Sequence, residues 1–84
     1  MDLYVMSWWV REDDDEDEVL LDGSAEEFGL SDVIAGGVYP AEEIRRCICA
    51  EFPAGGDEED SRYTVLKRVI IQTPDGDMIA NIEY

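Results

Sequence analysis

Residues 2–11, DLYVMSWWVR, join β-branched and aromatic side chains with no helix-start signal, a pattern that predicts a strand. Alternation places Leu3, Val5, Ser7 and Trp9 on one face and Tyr4, Met6, Trp8 and Val10 on the other. Both sets are largely apolar, so the strand is expected in the middle of a sheet, with each face covered in part. The apolar pattern stops at residues 12–18, EDDDEDE, and resumes with Val19, Leu20 and Leu21. The expectation is a short returning strand over 19–22, with residues 12–18 forming the loop at the tip of a hairpin.

Further along, Ser24 followed three residues later by Glu27 fits a capping box, and Ser31–Asp32 offers a second helix start before the stop at Gly36–Gly37. Short helical turns are expected within 25–36, with Phe28, Leu30, Val33 and Ile34 making their core contacts. The clearest helix covers about 40–52. Pro40 suits a first turn, Glu42 and Glu43 favour the positive end of the helix dipole, and Pro53 enforces the stop. Ile44, Cys47, Ile48 and Phe52 recur as one apolar stripe, and Glu42 is within reach of Arg45 or Arg46. A polar loop is expected over residues 54–61. The runs RYTVLKRVIIQ and DMIANIEY flank TPDG, which predicts a C-terminal β-hairpin over 63–84. These elements predict an α+β fold: an antiparallel sheet of three or four strands, with one main helix packed on a face, as a single domain over residues 1–84.

Charge changes the picture. The chain of 84 residues carries 22 acidic and 6 basic side chains, a net of −16. Small soluble domains usually carry a magnitude of roughly 2–8. The excess is concentrated: residues 1–44 hold fourteen acids and a single base, Arg11. Such a field repels nucleic acid and anionic membranes and attracts basic surfaces. No run approaches the roughly 20 apolar residues of a membrane-spanning helix, and no basic leader precedes an apolar stretch. The expected location is the cytoplasm.

Candidate chemistry is sparse. There is no histidine, the residue most often used for proton transfer at neutral pH. Cys47 and Cys49 are spaced C-x-C, which fits neither a zinc site nor a redox pair, and reduced, partly buried thiols are expected. The acidic run lacks the glycine and the ligand spacing of a calcium loop. No enzyme activity, metal or cofactor is expected. Adjacent Trp8 and Trp9 face opposite ways on a strand, so one belongs in the core and the other can anchor an interface.

What remains is the field itself. Carboxylates accept arginine forks much as phosphates do. The candidate partner-binding residues are therefore Glu12, Asp13, Asp14, Asp15, Glu16, Asp17, Glu18, Asp22, Glu26 and Glu27. In length, acidity, lack of catalytic residues and compact α+β pattern, the chain resembles the small phage-encoded inhibitors. That class includes DNA-mimicking antirestriction proteins, the uracil-DNA-glycosylase inhibitor and many anti-CRISPR proteins. The resemblance is one of whole-chain character. It implies stoichiometric inhibition of a basic nucleic-acid-binding protein or complex, such as a Cas effector or nuclease. It implies no direct contact with nucleic acid or membrane, and a monomer or homodimer. Two other readings fit the same features: an immunity or antitoxin protein that neutralises a basic nuclease toxin, and a small structural or accessory phage protein.

Overall fold

Strand β1 (Tyr4–Arg11) is hydrogen-bonded on both edges, as its two apolar faces predict. In the computed structural model the described residues are 3–52 and 62–84, with Asp14 and Asp15 described in their backbone alone. The remaining elements are β2 (Asp14–Ser24), α1 (Ala41–Glu51), β3 (Val65–Gln72) and β4 (Met78–Glu83). The sheet has the order β2-β1-β3-β4, and each neighbouring pair is antiparallel. Among the described residues the fold is α+β, with four strands, one helix and a C-terminal hairpin.

The acidic run departs from the expected loop. The turn takes in only Glu12 and Asp13, and β2 starts at Asp14, so most of the run is strand. Asp and Glu are poor strand formers, but two effects favour extension here. Pairing with β1 supplies backbone hydrogen bonds, and an extended chain holds like charges farther apart than a turn or helix does. The ladder is irregular at this end. Val10 opposes Glu18 while Arg11 opposes Asp14, so residues 15–17 form an excursion against two consecutive residues of β1.

Register defines the two faces of the sheet. Val5 lies beside Ile71, Ser7 beside Leu21 and Val69, and Trp9 beside Val19 and Leu66. These side chains form one continuous core with Phe28, Leu30, Ile34, Ile44 and Ile48. Every strand residue in that core comes from this face, so α1 and the 25–37 segment both pack on one side. Ser7, fully buried, resolves the polar requirement of Trp9. The indole Nε1–H donates to Ser7 Oγ at 2.9 Å, and Ser7 Oγ–H donates to the Leu21 carbonyl at 2.7 Å.

The expected capping box forms. The Glu27 amide donates to Ser24 Oγ at 3.2 Å, and the Ser24 amide donates to the Glu27 carboxylate at 3.4 Å. No long helix follows. Instead two isolated turns close by Phe28 N–H to Ser24 O and Ile34 N–H to Leu30 O, seating Phe28, Leu30 and Ile34 in the core. Helix α1 buries Ile44 and Ile48, and Phe52 just beyond it packs its ring on Phe28 at 5.1 Å between centroids. Cys47 and Cys49 are free thiols beside the core. In the C-terminal hairpin, Gly76 takes the left-handed φ of 96° that its turn requires, and its amide donates to the Thr73 carbonyl at 2.9 Å. The polar loop expected over 54–61 lies outside the described residues.

Candidate functional site

Most of the acidic run lies in β2, but its charges do not follow regular strand geometry. A β-strand advances about 3.3–3.4 Å per residue, and one strand of B-DNA carries one phosphate charge per about 3.4 Å of axis. The acidic run does not keep that spacing: Asp14 and Glu18 oppose the adjacent β1 residues Arg11 and Val10, so the excursion at 15–17 gathers the charge at the hairpin end of β2.

Glu12 and Asp13 at the turn are exposed, as are Glu16, Asp17 and Glu18 on β2. The side chains of Asp14 and Asp15 lie outside the described ones. Arg11, the single base of the N-terminal half, stands at the head of the run. Its guanidinium contacts the Asp17 carboxylate at 3.2 Å and lies over the Tyr63 ring at 5.9 Å from the centroid. One cation thus sits among seven acids and ties the irregular end of β2 to β1.

The other candidate residues are not gathered at this end. Asp22 lies farther along β2, opposite Met6, and accepts a hydrogen bond from the Tyr4 hydroxyl. That bond to a carboxylate is the main reason the Tyr4 hydroxyl titrates above the ordinary tyrosine range. Glu27 is committed to the capping box, and its carboxylate fills the space that a Cβ on Gly23 would need. Glu26 borders a cavity of about 450 Å³ with Leu3, Ile34 and Tyr39, past the far end of β2. β2 spans the eight residues of β1, which at about 3.3 Å per residue separates Glu26 and Glu27 from the hairpin turn by roughly 25 Å. The acidic side chains thus form a long charged margin rather than one compact cluster.

Register exposes a second component that the charge pattern alone does not reveal. The face opposite the core carries Tyr4, Met6 and Trp8 from β1, Leu20 from β2, Ile70 from β3 and Met78 from β4. None of these six belongs to the core cluster. Tyr4 is 36% exposed, Leu20 50% and Met78 58%, while Trp9 on the core face is 1% exposed. Trp8, the outward tryptophan, lies under the Arg68 guanidinium, 5.8 Å from the ring centroid, and Arg68 also contacts Glu83 at 3.2 Å. The sequence signal for this face was the apolar Tyr4, Met6, Trp8 alternation. Its exposure follows from the packing of α1 on the other side.

On the core side, Tyr84 donates its hydroxyl to the Ala41 carbonyl at 2.7 Å. Burial, helped by the Glu42 carboxylate, pushes it up to about 12. Burial also raises the Cys49 thiol, against the pull of Arg45. Arg45 makes the expected pair with Glu42, at 2.7 Å. Among the described residues no group of three or more acidic or thiol side chains is arranged to hold a metal ion, and no helix is long and apolar enough to cross a membrane. A scan against protein-family models finds no match to this chain, and searches of curated proteins and of solved structures find none either.

Proposed function

We propose that this chain is a small acidic binding protein that inhibits a basic nucleic-acid-handling complex by occupying its nucleic-acid-binding surface. Anti-CRISPR or similar anti-defence activity is the biology this reading favours. It acts by binding and not by catalysis. The observation that carries the reading is the concentration of the acidic run at the hairpin end of an edge strand. Exposed carboxylates of Glu12, Asp13, Glu16, Asp17 and Glu18 gather there, backed by a folded core. Arginine forks that grip phosphates find equivalent acceptors in Glu16, Asp17 and Glu18. Docking releases counterions from both partners, so inhibition weakens with added salt.

The test uses purified Cas effectors and nucleases, assayed for cleavage of their nucleic acids with and without stoichiometric amounts of the chain. Replacing Asp13, Asp14, Asp15 and Asp17 together by asparagine is expected to abolish inhibition of the effector that responds. If none responds, or if the substituted chain inhibits as well as the parent at physiological salt, the reading fails.

A further inference from the structure

We infer that the open face of the sheet is a docking surface for an amphipathic, arginine-bearing segment of the partner, with the acidic margin serving as its charged rim. This rests on the reading of the partner as a basic protein. Three rows of cross-strand neighbours lay the face out. One row runs Ser24, Tyr4, Gln72, Met78; the next runs Asp22, Met6, Ile70, Asn81; the third runs Leu20, Trp8, Arg68, Glu83. An apolar strip of Tyr4, Met6, Trp8, Leu20, Ile70 and Met78 thus crosses all four strands. Carboxylates flank it on both edges of the sheet: Asp22 on β2, with Glu18 one row beyond opposite Val10, and Glu83 on β4.

Charge decides the occupant. A second copy of the chain would set Glu18, Asp22 and Glu83 against their own equivalents. Arg68, the one cation in these rows, is already held by Glu83 and stacked on Trp8. Like charges facing one another across an interface oppose association. A segment with an apolar ridge and guanidinium groups on either side satisfies both parts of the surface. Its ridge covers Leu20, Met6 and Ile70, and its arginines reach the flanking carboxylates. The division of labour follows: the rim draws the partner in, and the apolar strip, once dry, retains it.

Two peptide probes separate this from attraction by charge alone. One alternates arginine and leucine. The other alternates arginine and serine, with the same length and charge. Each is titrated into the isotope-labelled full chain and followed by amide chemical shifts. The leucine peptide is expected to bind about tenfold tighter or more, since each buried leucine contributes on the order of one decade in affinity. Its shifts are expected at Tyr4, Met6, Trp8, Leu20 and Ile70. A Leu20→Ser, Met78→Ser double variant alters exposed side chains only, and its core signals report that it is folded. It should bind the leucine peptide no better than the parent binds the serine peptide. Equal affinities for the two peptides, or shifts confined to residues 12–18, overturn the inference. So does a concentration-dependent dimer whose shifts map to the same face. The two proposals fail separately. Loss of the leucine preference removes the docking face while leaving a charge-only inhibitor, and inhibition that survives neutralisation of the acidic run removes the nucleic-acid-site reading whatever the peptides do.

Discussion

The two faces of the sheet use the same strands in opposite ways. On one, Val5, Ser7 and Trp9 alternate inward and are sealed by Ile44 and Ile48 of α1 together with Phe28 and Leu30. On the other, Tyr4, Met6 and Trp8 alternate outward beneath no described helix, bordered by carboxylates. The inner face concentrates the folding stability of a chain of 84 residues, a size at which every buried side chain matters. Apart from Val10 at one end, which is 2% exposed, the outer face is apolar without contributing to that core, which is the condition for changing a surface freely while the fold stands.

The comparison breaks most visibly at Ile48. Ile48→Ala opens a cavity in the fully buried core and is expected to cost about 2–5 kcal/mol, measured by denaturant unfolding. Ser7→Ala comes next. It strips the partner from the buried Trp9 indole N–H and is expected to cost about 1–3 kcal/mol, whereas Ser7→Thr retains the hydroxyl and should recover part of that loss. Neutralising Asp13, Asp14, Asp15 and Asp17 acts with the opposite sign. The melting temperature should rise by a few degrees at low ionic strength, as like-charge repulsion is relieved, and the gain should shrink as salt screens the parent. The outer face gives the smallest effect: Leu20→Ser should change stability by no more than about 0.5 kcal/mol. A loss as large as that of Ile48→Ala would show that both faces are structural.

An alkaline titration sharpens the same contrast. Tyr84, on the core side, is raised to about 12 from the ordinary 10.0. Between those values the unfolded chain has released the tyrosine proton while the folded chain retains it. Stability present below pH 10.0 is therefore lost as the pH climbs towards about 12. Tyr84→Phe removes the Tyr84 share of this slope, while the share of Tyr4, whose hydroxyl is also raised, remains. Unfolding curves recorded across the window, for parent and variant, check it.

Much of the fold is legible in the residues. Pro40 and Pro53 bracket α1, the Pro74-Asp75-Gly76 turn marks the C-terminal hairpin, and the doubly apolar β1 announces its central place. The acidic run is not legible as strand, because the local preferences of Asp and Glu point to loop and only pairing with β1 overrides them. The candidate site divides in the same way. The carboxylates are visible in the composition, but their spread along a margin follows from the length of β2. The exposed strip depends on tertiary packing, since alternation supplies two apolar faces and cannot say which of them a single helix will cover. In the sequence Arg11 is one base among acids; its place against Asp17 and Tyr63 follows from the irregular register at the end of β1.

Among the described residues strand β2 has a neighbour on one side only, so the backbone donors and acceptors of alternate residues line an outer margin of the sheet. Long bare margins of that kind seed fibres by recruiting further chains, and natural proteins guard them with charge. Here the guard is anionic and can be removed by acid. Once strong acid has protonated those side chains, the margin becomes a template, and a protein that stays dispersed at neutral pH should begin to polymerise through it.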